Sequence, residues 1–184
     1  SRTNLNLKDA YYLGGYAHFT LKEYNQALDY FKQYEISVAD QKETTYADAM
    51  NRMGDCYYYE RDFGNAEKSY NKAIASFPAT GDYDLFQIAY INGLQKKYTT
   101  KIMSLERLIT DFPNSQYADD ALYEIGRAYL MMENPDKALG SYQRLLSTYP
   151  NSNIAPKAAL EVGMVHFNRR DLSSAITSYK HVIE

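Results

Sequence analysis

The chain is predicted to be all-α, a solenoid of about five helix-turn-helix repeats, and two columns of residues and a set of prolines predict it. A small residue stands at Gly15, Gly54, Ala89, Gly126 and Gly163, and twelve residues after each stands Ala27, Ala66, Lys101, Ala138 or Ala175. The interval inside the unit is constant, whereas successive units lie 39, 35, 37 and 37 residues apart, so length varies only in the connections. Pro78, Pro113 and Pro150 close three of the units. A unit recurring at this period cannot bury its apolar face alone and must stack on its neighbours.

The repeats fall at about 8–39, 45–78, 82–113, 117–150 and 154–184. Residues 1–7 read as the tail of a preceding repeat or as residues foreign to the repeats, with Leu5 and Leu7 as their only large apolar side chains. The first unit has helices near 8–21 and 24–38 and then a polar linker over 40–44. The second has helices near 45–60 and 63–76, with Asp62 as N-cap, since a carboxylate there accepts from free amides and suits the helix dipole. In the third, Asn92 and Gly93 are poor helix formers inside a first helix, which predicts a kink or a shortened element. Lys101 replaces the small alanine there and fits if its stem follows the helix contact while its ammonium reaches water.

The fourth unit is the most regular. Leu122, Ile125, Ala128, Tyr129 and Met132, then Ala138, Tyr142, Leu145 and Leu146, recur at three- and four-residue intervals and define two amphipathic helices. Asn134 and Pro135 between them serve as N-cap and first helical residue, and Pro150 ends the second helix. In the fifth unit Pro156 fits a first turn after Ser152 or Asn153 as cap, and Asp171 caps the last helix. Tyr24, Phe63, Tyr98 and Leu172 open second helices, whose buried faces carry Phe31, Tyr70, Leu105, Tyr142 and Tyr179.

These columns resemble the tetratricopeptide repeat family over almost the whole chain. Gly54, Tyr57, Phe63, Ala66, Tyr70, Ala73 and Pro78 make the fullest match, followed by Gly126, Tyr129, Ala138, Tyr142 and Pro150. The resemblance implies a right-handed superhelix in which the small residue and the alanine let the two helices of a unit approach closely. The connecting phrases FPNSQYADDAL and YPNSNIAPKAAL are similar to those of bacterial cell-envelope members, among them outer-membrane assembly lipoproteins and periplasmic cell-division coordinators. That likeness implies a periplasmic or outer-membrane-associated parent, with the cytoplasm as the other compartment.

Apolar residues make up 45% of the chain, ample for a continuous core, and 20 tyrosines with no tryptophan offer large contact area with polar tips. A net charge of −3 with scattered Lys and Arg provides no broad basic face for nucleic acid. Lys96, Lys97 and Lys101 read as a solvated helix face. No run of about 18 apolar residues is present, so no membrane insertion by this segment is expected. The single cysteine excludes an internal disulfide. The chain begins at Ser1 and stops at Glu184 within a helical pattern, so it is expected to be part of a longer protein, and the apolar Ile176, Val182 and Ile183 of its last helix are expected to be covered, for instance by self-association.

The family geometry implies a concave groove lined by the first helices. Carried over residue by residue, it is formed by Tyr12, Tyr16 and Phe19, by Asn51, Asp55, Tyr58 and Tyr59, by Phe86 and Tyr90, by Tyr123, Arg127 and Met131, and by Leu160, Met164 and Phe167. Leu94 and Leu130 lie beside them. Such a groove implies a protein or peptide partner, because tyrosines bury area at low entropic cost and still bond backbone groups. Any one of these tyrosines is expected to pack onto a neighbouring helix, as aromatic stripes at helical spacing do, while the groove as a whole is expected to bind. At the positions where chaperone-binding members clamp a terminal carboxylate, this chain has Tyr12, Tyr16, Arg52, Tyr83 and Gln87, of which only Arg52 could serve, so that mode is not expected. No catalytic residue, cofactor or metal is expected: His18 and His166 read as packing residues with polar tips, Cys56 as a small buried hydrophobe, and Asp119 and Asp120 as a dipole-stabilised pair. An architectural role, joining copies or domains with no peptide ligand, is the alternative to binding.

Overall fold

A computed structural model describes residues 7–39, 41, 42 and 44–183, without the side chains of His181 and Ile183. The readings made above for residues 1–6, for Asp40 in the first linker and for the side chain of Ile183 lie outside the described residues. Among the described residues the chain forms ten α-helices and no strand: α1 (Leu7–Thr20), α2 (Tyr24–Ser37), α3 (Thr44–Tyr59), α4 (Phe63–Ser76), α5 (Asp82–Leu94), α6 (Tyr98–Asp111), α7 (Ala118–Met131), α8 (Pro135–Thr148), α9 (Ala155–Asn168) and α10 (Leu172–Ile183). A short 3-10 turn, Pro78–Thr80, precedes α5. The fold is the predicted all-α repeat, with α1 packed on α2, α3 on α4, α7 on α8 and α9 on α10. The chain divides into two compact units, 1–91 and 92–184.

Each pair is joined by the same backbone device. Lys22, Arg61, Lys96, Glu133 and Arg170 have φ between 56° and 65°, the left-handed region. In each turn that residue's N–H donates three residues back and the next N–H donates five back, as in Lys22 to Phe19 and Glu23 to His18, or Glu133 to Leu130 and Asn134 to Tyr129. This is the Schellman arrangement, which satisfies carbonyls that a helix end otherwise leaves open. The residue after the left-handed one then starts the second helix, so one three-residue turn both stops and starts. As predicted, Asp62, Asn134 and Asp171 accept there from the amides of Asn65 (3.1 Å), Lys137 (3.2 Å) and Ser174 (3.2 Å).

Within unit 1 the core of the first two repeats gathers Ala27, Leu28, Phe31, Tyr34 and Val38 of the first with Tyr46, Met50, Met53 and Cys56 of the second. Within unit 2, Leu122, Ile125, Tyr142 and Leu145 are almost completely buried. The small column works by contact: a Cβ added at Gly54 or Gly126 would run into the ring of Tyr70 or Tyr142. Burying one such ring stabilises by roughly 2 kcal/mol, so the glycine is the condition for that gain.

Three local expectations are corrected. Asn92 and Gly93 do not interrupt α5, which continues to Leu94; they supply the carbonyls that accept from Lys97 and Lys96 in the turn. Lys101 does not reach water: it is buried, and its ammonium pairs with Glu124 of α7. Neither Ser152 nor Asn153 caps α9, whose N-cap is Ile154 with no side-chain bond. The Ser152 hydroxyl instead accepts from the Ile154 amide at 3.0 Å and donates to Asp119 at 2.5 Å.

Candidate protein-interaction surface

In unit 1 the first helices carry a polar layer with rings beside it. Tyr12 and Tyr16 of α1 both donate to the Asp48 carboxylate of α3, Tyr12 at 2.7 Å. One turn on, Arg52 Nη1 lies 2.5 Å from Asp55, and the guanidinium sits over the rings of Phe19 (5.4 Å) and Tyr83 (5.7 Å). Asp55 is buried and accepts from the hydroxyls of Tyr70 at 2.8 Å and Tyr83 at 2.6 Å. The Asn51 amide, turned to satisfy both its ends, donates to the buried Asp84 of α5.

This layer is acidic and short of water. Burial, with the negative charges of Asp55 and Asp82, pushes the Asp84 carboxyl up to about 8 against the pull of Arg52. Asp55 is raised by burial, opposed by Arg52, Tyr83 and Tyr70. Burial and the bond to Asp48 push the Tyr12 phenol up to about 12.

Beside the layer runs a row of four rings open to solvent along part of its length. Tyr59 stacks on Tyr24 with centroids 4.5 Å apart and planes 8° apart. Tyr58 meets Tyr59 edge-on at 5.6 Å and Tyr90 at 6.0 Å. Tyr59 is 56% exposed and Tyr90 47%, while Tyr58 and Phe86 are half-buried.

In unit 2 the first helices are plainer. Tyr123 of α7 is half-buried, its hydroxyl 3.5 Å from Glu161 of α9, and Arg127 Nη1 lies 2.8 Å from Glu124. Burial raises the Glu124 carboxyl, but Lys101 and Arg127 outweigh it and hold the group below the usual range. On α9, Leu160, Met164 and Phe167 recur at four and three residues and are 45%, 45% and 56% exposed; Met131 of α7 is exposed as well.

The sequence-derived groove residues thus divide by depth. Tyr59, Tyr90, Arg127, Met131, Leu160, Met164 and Phe167 are exposed, Tyr12, Tyr16, Phe19, Asn51, Tyr58, Phe86 and Tyr123 are half-buried, and Asp55 is buried. Tyr24, Asp48 and Asp84 were absent from that reading. Asp48, Arg52 and Asp55 carry a signal, since spacings of four and three put them on one helix face.

The residues weighed for chemistry are engaged elsewhere. His18 Nδ1 lies 2.6 Å from Glu23 and His166 Nδ1 3.1 Å from Asp171, equivalent pairs that brace the turns of the first and fifth repeats. Cys56 is fully buried, which pushes its thiol up to about 12. Among the described residues no three His, Cys, Asp or Glu side chains are placed to hold a metal ion, and no helix is long and apolar enough to cross a membrane.

Helix pairs that recur at the same register along the chain define a helical-repeat protein. Tetratricopeptide repeat models match residues 47–80, 85–115 and 120–152, together more than half of the chain, which belongs to that family of non-catalytic protein-interaction repeats. No curated protein matches it by sequence. Among solved structures it is similar to a MamA protein at 19% identity and TM-score 0.76, covering 96% of this chain and 90% of that one. It is also similar to MamA 41-end from Desulfovibrio magneticus RS-1 at 17% identity, 96% and 93% coverage and TM-score 0.72. A third likeness is to Pseudomonas aeruginosa pilF, at 21% identity, 96% and 75% coverage and TM-score 0.68. At these identities the likeness is one of fold.

Proposed function

We propose that the chain is a protein-binding scaffold that holds a peptide or protein segment against its first helices. The observation that carries this reading is the ring row Tyr24, Tyr59, Tyr58 and Tyr90, held ring against ring and open to solvent at Tyr59 and Tyr90. Rings held against each other have little conformational freedom left to lose, and their hydroxyls can still bond a peptide backbone. The apolar row Leu160, Met164 and Phe167 on α9 is the corresponding surface of unit 2. Arg52, engaged by Asp55, is not free to hold a terminal carboxylate, so chaperone-type tails are not the ligands. The connecting phrases support a parent of the bacterial envelope, periplasmic or outer-membrane-associated.

The test is affinity capture from envelope and cytosolic fractions, followed by hydrogen exchange on the purified complex. Tyr58→Ala with Tyr59→Ala and Tyr90→Ala should release the partner and remove protection from α3 and α5 while circular dichroism is unchanged. A partner retained by this variant and by a Leu160→Ala, Met164→Ala, Phe167→Ala variant would sink the reading.

One observation favours the architectural alternative. Ile176 of α10 is 56% exposed, whereas Leu139, its equivalent in α8, is 8% exposed. Ile176→Asp would then abolish a concentration-dependent assembly measured by light scattering, with the ring variants inert.

A further inference from the structure

We infer that the crevice between the α7–α8 turn and the end of α9, inside unit 2, binds a tryptophan side chain of a partner polypeptide. The ring lies against Leu130, Pro135 and Val165, and its N–H donates to the Glu133 carboxylate. None of these residues belongs to the ring row or to the α9 row of Leu160, Met164 and Phe167, so the site is separate from the surfaces proposed above. The crevice measures about 360 Å³ and is lined by Leu130, Glu133, Pro135, Val165, Asn168 and Arg169. Sites for small ligands span roughly 300–1,000 Å³, with apolar walls and a few polar groups that fix orientation.

The first two repeats show what this place holds. Counted from the glycine of each first helix, Leu130 and Pro135 stand in the fourth repeat where Phe19 and Tyr24 stand in the first, and Asn168 stands in the fifth where Tyr59 stands in the second. In unit 1 Tyr24 stacks on Tyr59 with centroids 4.5 Å apart, and Phe19 meets Tyr24 edge-on at 6.0 Å. Three rings from two adjacent repeats thus close the place. Leucine, proline and asparagine leave it without a ring, although both repeats that frame it are in place and α9 packs on α8. The third repeat meets the second where Tyr90 touches Tyr58, and Tyr58 corresponds to Phe167, which is outside the lining. A neighbour packed on α9 in that manner covers Phe167 and leaves the crevice open.

Size and charge select the occupant. Arg169 is engaged by Asp136 at 2.9 Å. The charge left unmatched in the lining is the carboxylate of Glu133, exposed at the turn and without a hydrogen-bond or ion-pair partner among the described residues. An aromatic ring has a negative face and a positive edge, and indole adds to that edge an N–H donor and no acceptor. It can lie flat on Pro135 and turn its edge to Glu133. Indole is also the largest aromatic side chain, which suits a place that three rings fill in unit 1. A second copy of the chain is not the occupant, since the 184 residues contain no tryptophan.

The same lack of tryptophan makes the fluorescence of a tryptophan probe unambiguous. N-acetyltryptophanamide is titrated with the chain, its anisotropy is followed, and methyl NMR of Leu130 and Val165 locates it. Saturation with a dissociation constant of about 1 mM or lower is expected, with shifts at both side chains. Glu133→Lys should weaken binding about tenfold, and N-acetylphenylalaninamide, which lacks the donor, should compete about tenfold less well. Pro135→Tyr with Asn168→Tyr installs the pair present at Tyr24 and Tyr59; it should abolish binding and leave circular dichroism unchanged. No saturation up to about 20 mM, a phenylalanine analogue of equal affinity, full affinity in Glu133→Lys, or binding retained by the double variant would each overturn the assignment. Lys22 occupies the same turn position in the first repeat, so Glu133→Lys keeps the fold and decides the matter even if the double variant does not fold.

Discussion

The second and fourth repeats solve the same packing problem with opposite charges. In both, a glycine on the first helix admits a tyrosine ring from the second, Tyr70 at Gly54 and Tyr142 at Gly126. In both, an i, i+3 ion pair flanks the glycine, but α3 reads Arg52 then Asp55 and α7 reads Glu124 then Arg127. The order decides the fate of the ring's hydroxyl. Asp55 gives Tyr70 an acceptor, whereas Tyr142 is buried with no hydrogen-bond partner among the described residues. The displaced acid is used elsewhere: Glu124 receives Lys101, the one cation in the alanine column. A repeat can thus keep its shape while its polar wiring is redrawn.

The largest test of this contrast is at the buried pair. Glu124→Ala should destabilise by roughly 3 kcal/mol in urea unfolding, because it strands the Lys101 ammonium, whereas Lys101→Met should be neutral or stabilising. Equal losses from both would mean that the pair is effectively exposed. Next comes Asp55→Asn, which weakens the acceptor of two hydroxyls and the partner of Arg52; a loss of about 2 kcal/mol is expected, and less than about 0.5 would place the anchor elsewhere.

The third test is pH. The Asp84 carboxyl in the folded chain sits well above its unfolded value, so the folded state binds the extra proton between roughly pH 4 and 8. Stability should therefore fall as pH rises through that window, and flatten above about 8. Asp84→Asn should remove most of the slope. A wild-type profile flat from pH 5 to 8 would sink the assignment. The smallest effect separates the two rings: Tyr70→Phe should cost about 1 kcal/mol, and Tyr142→Phe should be within about 0.5 kcal/mol of wild type or stabilising.

How much was legible in the sequence follows from the range of each interaction. The repeat register depends on intervals along one chain, so α2, α4, α6, α8 and α10 begin at Tyr24, Phe63, Tyr98, Pro135 and Leu172, where the columns place them. The glycine column is legible for the same reason, and its exception is informative: the third repeat alone has Ala89 in that column and Leu105, not a ring, in the other. Partners far along the chain are not legible. Lys101 reads as an intruder until α7 brings Glu124 beside it, and no local pattern distinguishes a cap from a turn among Asn151, Ser152 and Asn153. Helical projection assigned Asp55 to an open face because it supplies direction without depth; the hydroxyls of Tyr70 and Tyr83, from two other helices, cover it.

The five left-handed turn residues have a practical consequence. The left-handed residue of each turn gives only its backbone N–H to the closing bonds, so Lys22, Arg61, Lys96, Glu133 and Arg170, all exposed, are replaceable without disturbing a packed neighbour. They amount to one address per repeat, evenly indexed along the array. The native thiol of Cys56 is buried and unreactive at neutral pH, so a cysteine introduced at any of these addresses would be the sole site of labelling. Paired fluorophores would then turn the protein into its own ruler, reporting the distances between repeats with and without a captured protein.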